Sequence, residues 1–238
     1  GHLQEKDAEF LNRHKLSRHQ PALPLYTVHD AQNAVEHFST VAFDQTVRLS
    51  NGAWFRFHRA GHILGAAWVE MAWGGQRIVF SGDIGRYGDP LMPDPARPVE
   101  ADYVMIESTY GNRIHDKTDP EEALRAVVER TIRRGGTLVV PAFAVGRAQE
   151  LLYYFWKLKQ AGVLGDVPVF LDSPMAIDAT GLMGRHPRDH RLDPESCKRV
   201  FGIAHYTDDV EASKAISSSR VPKIVISASG MATGGRVL

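Results

Sequence analysis

The sequence predicts an α/β protein in two parts, a hairpin-rich β region followed by a doubly wound parallel α/β region. Three observations carry this expectation. Short apolar runs in the first part are joined by Ser50-Asn51-Gly52 and Gly74-Gly75-Gln76, which are tight-turn signals for antiparallel hairpins. After about residue 115, strand-like runs such as TLVVP (137–141) and KIVIS (223–227) alternate with amphipathic helical stretches. The composition, 43% hydrophobic and 24% charged over 238 residues, is that of a chain able to bury a core.

Each element has a local reason. Residues 5–14 (EKDAEFLNRH) and 29–38 (HDAQNAVEHF) carry helical patterning and are linked by the proline-bounded PALPLY. Strands are expected at 46–49, 53–58, 66–73 and 77–81, then a proline-rich connector at 89–98 and a buried strand at 103–107, YVMIE. A helix follows over 119–134. Asp119 caps it, Pro120 suits its first turn, and Leu124, Val127, Val128, Thr131 and Ile132 form its stripe. Strand 137–141 leads to helix 146–160, with Ala148, Leu151, Leu152, Phe155 and Leu158 on one face. Strand 167–171 leads to a helix near 174–184, and helix 209–218 leads to strand 223–227. Trp54, Trp68, Trp73 and Trp156 are expected in packed positions. The domain boundary is expected near residue 115, giving regions 1–115 and 116–238.

Lys plus Arg and Asp plus Glu each number 28, so no global basic field exists and any nucleic acid must meet a local patch. A lone cysteine, Cys197, excludes an intrachain disulfide framework and a cysteine-based zinc site, and is read as a small packing residue. A metal site would have to use His, Asp and Glu, which 11 histidines make feasible. No apolar run approaches the ~20 residues of a membrane span, and no secretory signal is visible, so a reducing, cytoplasmic setting is expected. RTIRRGG (130–136) and RHPRDHR (185–191) are read as solvated faces or loops. The start at Gly1-His2-Leu3 and the end just after a glycine turn suggest a piece of a longer protein.

His62 lies just before strand 66–73 and Asp83 just after strand 77–81. A tight turn between those strands makes them antiparallel, so both residues fall at the same end of the hairpin. Glu107 ends the next strand, where functional groups gather in α/β sheets. Imidazole and carboxylate together suit zinc or manganese, and a carboxylate can bridge two metals. The alternatives are a buried, hydrogen-bonded histidine at 62, a turn residue at Asp83 and a backbone-capping carboxylate at Glu107. Arg147 opens a helix, where a phosphate could be held, or it pairs with Glu150. Ser173 faces a helix start as an anion contact or an N-cap. The glycine-rich turn SASGMATGGR (227–236), with Ser229 and Gly230, could cradle phosphate, and Arg236 could contact it or be a solvated charge. His58, inside a strand, reads as structural.

GHILGA, FSGDIGR and ESTYGNR, in this order, resemble the β-CASP branch of the metallo-β-lactamase superfamily, a group of RNA-processing nucleases. The likeness continues through GGTLVVPAFAVGRAQELLYYF, VPVFLDSPMA, EASKAI and IVISASGMATGGR, and so covers nearly the whole chain. The resemblance implies part of a metallo-β-lactamase αββα sandwich plus an inserted doubly wound parallel α/β domain, incomplete at its C-terminus. It implies that His62 binds zinc, that Asp83 bridges two zinc ions (manganese being an alternative), and that Glu107 supports a histidine acting as general acid. The implied reaction is attack of a metal-activated hydroxide on an RNA phosphodiester, with Asp83 and Glu107 as catalytic residues. Arg147, Ser173, Ser229, Gly230 and Arg236 are the substrate-binding candidates. The family's His-x-His-x-Asp-His motif and its two later histidines are absent from this sequence, so the chain alone is expected to bind metal weakly and cut RNA poorly. RNA is the expected partner, with no membrane, and a homodimer is allowed. The rival functions are a non-catalytic RNA-binding scaffold and a metallo-hydrolase of small esters. The long α/β segment after residue 115 argues against the second.

Overall fold

The computed structural model describes residues 1–228, 231–232 and 235–237. The chain divides into two compact units, residues 1–42 and 43–238. The first holds α1 (His2–His14) and α2 (Val28–Glu36). Thr27 and Asp30 close a capping box at the start of α2: the Thr27 hydroxyl accepts the Asp30 N–H at 3.1 Å and the Asp30 carboxylate accepts the Thr27 N–H at 2.8 Å. The link between the helices is tied by the Asn12 amide, which donates to the Ala22 carbonyl at 2.9 Å and accepts the Ala22 N–H at 2.7 Å.

The second unit contains two sheets. The first is β1 (Val47–Arg48), β2 (Trp54–Arg59), β3 (Ala67–Trp73), β4 (Gln76–Phe80) and β5 (Tyr103–Met105), side by side in that order. The pairings are antiparallel up to β4 and parallel between β4 and β5. Trp73 pairs with Gln76 across the two-residue Gly74-Gly75 turn, as the sequence predicts.

Alternation along the strands places His58, Trp68 and Glu70 on one face. There Ala60, Trp68 and Val79 form a small core, with Ala96, Val99 and Ala101, from the segment between β4 and β5, packed against it. Glu70, only 2% exposed, meets His58 Nε2 at 3.0 Å, Arg77 at 3.3 Å and Arg56 at 3.5 Å. His58 Nδ1 meets Asp44 at 2.7 Å, and the imidazole stacks on Trp68. A buried carboxylate persists only with such partners, so His58 is a satisfied structural histidine.

Two expectations for this sheet are corrected. The strand at 103–107 is neither that long nor buried. It spans Tyr103–Met105 at the sheet edge, with Tyr103, Val104, Met105 and Ile106 all more than half exposed. An apolar run reports what a strand could bury, and an edge position leaves it without a neighbour on one side. Trp73 is 65% exposed at the hairpin tip and is not a core residue. Trp68 is buried, and Trp156 packs against the second core.

The second sheet is wholly parallel, in the order β6 (Thr137–Pro141), β9 (Lys223–Ser227), β7 (Val169–Asp172) and β8 (Ala204–Tyr206). It is interleaved with α3 (Pro120–Arg133), α4 (Arg147–Gln160), α5 (Pro174–Arg185), α6 (Pro194–Phe201) and α7 (Val210–Ser218). The connections β6→β7→β8 step one way across the sheet and β8→β9 steps back. Right-handed crossovers then put α4 to α6 on one face and α7 on the other, the doubly wound arrangement.

The expected stripe of α4 is what the core is built on: Ala148, Leu152, Phe155 and Leu158 are buried against Leu171, Val200, Ile224 and Ile226. Full burial of each larger side chain contributes about 1.5–3 kcal/mol. Asp119 caps α3 as expected, accepting the Glu121 N–H at 2.7 Å. α6 and β8 are not among the expected elements, although the signal for α6 is present. Asp193 accepts N–H groups of Glu195 and Ser196 at 2.9 Å each, Pro194 opens the helix, and Cys197, Val200 and Phe201 are buried. Burial also pushes the Cys197 thiol above its usual range, consistent with a packing role.

The connector after β4 stitches the sheets together. Leu91 and Met92 enter the second core, while Ala96 and Val99 sit on the first. RHPRDHR is correspondingly more than a solvated loop. Arg191 donates to the Met92 carbonyl at 2.9 Å and pairs with Asp94 at 2.7 Å, Asp189 pairs with Arg59 at 3.3 Å, and the buried His190 meets the Met183 carbonyl at 2.9 Å. Among the described residues, no helix is long and apolar enough to cross a membrane.

Candidate functional site

The hairpin geometry brings the sequence-predicted residues to one end of the first sheet. The Gly85 N–H donates to the Ala60 carbonyl at 2.8 Å, closing the loop after β4 onto the loop before β3. The approach is so close that a Cβ on Gly85 would lie 2.0 Å from the Gly61 carbonyl oxygen and 2.7 Å from the His62 nitrogen. Only glycine permits it. His62 and Asp83 thus sit on abutting loops.

Glu107 joins them from the segment just after β5. Its N–H donates to Ser81 Oγ at 2.9 Å, and its carboxylate accepts the Ile84 N–H, next to Asp83, at 2.7 Å. Glu107 therefore does what a capping carboxylate does, and the group it caps is the Asp83 loop.

His62 and Asp83 are both exposed, and no hydrogen bond or ion pair takes up either side chain among the described residues. For His62 this removes the alternative of a buried, satisfied histidine; for Asp83 a turn role remains compatible with its place in the bend. One imidazole and one carboxylate, uncommitted and on adjoining loops, have the donor chemistry of zinc or manganese. They fit as part of a ligand set, since zinc takes about four ligands. Among the described residues no cluster of three or more His, Cys, Asp or Glu donors is placed to hold a metal ion.

α4 starts against the same loops. A Cβ on Gly146, its N-cap residue, would lie 2.9 Å from Ile63 Cγ2, one residue past His62. Arg147 follows and pairs with Glu150 at 2.6 Å, the alternative weighed for it, yet its side chain remains 61% exposed. Arg86, three residues beyond Asp83, grips the other Glu150 oxygen and pairs with Asp89 at 3.1 Å. Burial alone would lower the Arg86 guanidinium; the Glu150 and Asp89 carboxylates outweigh it and hold it above its usual value. Arg86, Arg147, Glu150 and Tyr154 line a cleft of about 390 Å³ together with Leu124, Val127 and Leu151. Sequence reasoning did not single out Arg86, although its place in FSGDIGR, three residues from Asp83, was a usable signal.

Buried Gln149 braces α4. It donates to the Ala144 and Ala176 carbonyls at 3.1 and 3.2 Å and to Thr180 Oγ1 at 2.9 Å, and it accepts the Gly146 N–H at 2.8 Å.

The remaining candidates lie at the carboxyl end of the second sheet. Ser173 is a buried N-cap of α5, accepting the Ala176 N–H at 3.3 Å. Arg236 is neither a free phosphate contact nor a solvated charge. It donates to Asp172 at 2.8 Å, to the Thr207 carbonyl at 3.0 Å and to the Asp208 carbonyl at 2.7 Å. Asp172 also accepts from Ser213 Oγ at 2.7 Å. Ser229 and Gly230 lie outside the described residues.

Comparison with known proteins agrees with the motif reading. A family model for the Beta-Casp domain matches residues 148–238. Ribonuclease TTHA0252 of Thermus thermophilus is 34% identical over 223 residues, covering 90% of this chain and 51% of that protein. An RNase J-like protein of Methanocaldococcus jannaschii is 32% identical over 218 residues, with the same coverage of 90% and 51%. Cleavage and polyadenylation specificity factor 73 of Drosophila melanogaster is 35% identical over 167 residues, 68% of this chain and 24% of that protein. The chain spans about half the length, or less, of the curated relatives it matches.

Proposed function

The chain belongs to the β-CASP branch of the metallo-β-lactamase superfamily, and on that premise we propose that its full-length protein is a metal-dependent RNA phosphodiester hydrolase to which these residues contribute half of the active centre. In this reading residues 1–115 are part of the metallo-β-lactamase domain and 116–238 most of the β-CASP domain. The observation that carries it is the convergence of His62, Asp83 and Glu107, on three separate chain segments, at one end of one sheet.

His62 and Asp83 would hold a divalent ion, zinc foremost and manganese as the alternative, with the remaining donors supplied from outside these residues. Such an ion would supply Lewis-acid activation of water and offset the charge that builds on the phosphodiester. Glu107 positions: by accepting the Ile84 N–H it fixes the loop that presents the Asp83 carboxylate. Arg147 offers the exposed side of its guanidinium to a substrate phosphate while Glu150 holds the rest. Gly61 and Gly85, by their close approach, keep the His62 and Asp83 loops in fixed register. Ser173 and Arg236 act through the fold, as cap and clamp, not on the substrate.

The test is cleavage of a labelled RNA by the full-length protein and its His62→Ala and Asp83→Asn variants. Cleavage by the wild type, with a loss of on the order of 100-fold in each variant, is expected. Equal cleavage in all three would sink the ligand assignment, and no cleavage by any, with RNA still bound, would favour the scaffold reading.

A further inference from the structure

We propose that Glu150 is a positioning residue of this RNA site, linking the phosphate-facing Arg147 to the loop that carries Asp83 through Arg86. The inference rests on the RNA-hydrolase reading above.

The Glu150 carboxylate lies in the first turn of α4 and is 8% exposed. Its two oxygens are divided: one takes Arg86 and the other takes Arg147 at 2.6 Å. Both arginines are at least half exposed, so each keeps guanidinium edges facing the solvent. An arginine that spends one N–H on a buried carboxylate has its fork oriented in advance and still has donors for a phosphate.

The route from Arg86 back to Asp83 has no slack. Ile84 is bonded to Glu107, and Gly85 is bonded to Ala60 and wedged on Gly61 and His62. The route from Arg147 into α4 is equally stiff, because Gln149 is tied to three acceptors and Gly146 abuts Ile63. A phosphate that pulls on Arg147 therefore acts against the same carboxylate that anchors the Asp83 loop. A carboxylate placed only to bind α4 to its neighbour would not need a partner from the Asp83 loop. The Glu121–Lys157 pair, between α3 and the last turn of α4, is such a simple tie and serves as the control.

The experiment uses the full-length protein with Glu150→Gln, Arg86→Lys and, as control, Glu121→Gln. Three quantities are read: melting temperature, kcat and KM on a labelled single-stranded RNA, and affinity of the metal-free protein for the same RNA by fluorescence anisotropy. Glu150→Gln loosens the Arg147 fork but also frees it from a competing anion, two effects that oppose each other in binding, so RNA affinity is expected to change little while kcat falls on the order of 10- to 100-fold. Arg86→Lys keeps the charge but loses the planar fork that meets Glu150 and Asp89 through two separate nitrogens, so kcat falls with RNA affinity unchanged. Glu121→Gln leaves kcat within about twofold, whatever it does to the melting temperature.

The proposal is overturned if kcat stays within twofold in both site variants, or if RNA affinity and kcat fall together in both. Should Glu150→Gln fail to fold, Arg86→Lys decides by the same criteria. Failure of the underlying reading is separate: it shows in the wild-type protein, which would then cleave no RNA.

Discussion

Replacing Gly85 with alanine should damage the site more than the fold. The new Cβ would lie 2.0 Å from the Gly61 oxygen, 2.2 Å from the Gly61 carbonyl carbon and 2.7 Å from the His62 nitrogen. Non-bonded carbon contacts are comfortable near 3.5–4.0 Å, so the loops must part by about 1–1.5 Å. Neither yields freely. Gly61 already backs onto the connector, where its own Cβ would lie 2.5 Å from the Pro93 oxygen, and the Gly85 N–H is held on Ala60. Overpacking of this kind costs about 1–3 kcal/mol, which in a unit of this size lowers the melting temperature by roughly 2–12 °C. The displacement lands on the His62 and Asp83 loops, where an error of about 1 Å can cost on the order of 100-fold in rate. Thermal unfolding and RNA cleavage are measured on the full-length protein beside Gly184→Ala. Gly184 is in α5 with nothing near its missing Cβ, and alanine there should be neutral or stabilise by up to about 1 kcal/mol. A Gly85→Ala protein that melts and cleaves like the wild type would refute the close-packed-loop account.

Three other outcomes are expected. Gln149→Leu removes the two amide N–H groups that three buried acceptors share and the oxygen that accepts the Gly146 N–H, and should destabilise by about 2–4 kcal/mol, with faster amide exchange at Gly146; a loss below about 0.5 kcal/mol would contradict the bracing role. Arg236→Ala strips a buried carboxylate of its cation and should cost about 3–5 kcal/mol in denaturant unfolding, whereas Arg199→Ala, which breaks an exposed pair with Glu195, should cost under about 0.5 kcal/mol; similar losses in both would be the wrong result. Burial pushes the Tyr206 phenol up to about 12 from the ordinary 10.0. A raised folded value gives stability that is complete below the unfolded value and lost as pH rises through the folded one. Stability of the wild type should therefore fall between pH 10.0 and about 12 by more than that of Tyr206→Phe. Tyr206 is partly exposed, so solvent weakens the effect and the sign is what is read; parallel pH curves would contradict it.

Much of the architecture was legible because its signals are local. Asp119-Pro120 and Gly74-Gly75 determine a helix start and a hairpin locally, the first through a side-chain cap and a fixed φ, the second through the backbone freedom of glycine. The apolar stripe of α4 needed only a 3.6-residue period to identify its buried face. That the loops carrying His62 and Asp83 abut followed from one turn and antiparallel pairing. What was not legible depends on neighbours distant in sequence. YVMI is apolar enough to be buried, yet it lies at the sheet edge and is exposed. Trp73 is no different in type from Trp68; the hairpin tip exposes it. Arg236 looked like a free cation because its acceptors, Asp172, Thr207 and Asp208, lie 28 to 64 positions away. The Arg86–Glu150 link, likewise, joins residues 64 apart.

The central claim is that His62 and Asp83 are two ligands of one metal centre. The most direct measurement is the zinc and manganese content of the purified full-length protein after exhaustive dialysis, compared with His62→Ala and Asp83→Ala, with circular dichroism confirming that all three are folded. The account predicts retained metal in the wild type, about two ions per chain for a two-metal site, and a clear loss in each variant. Equal metal content in all three would contradict it.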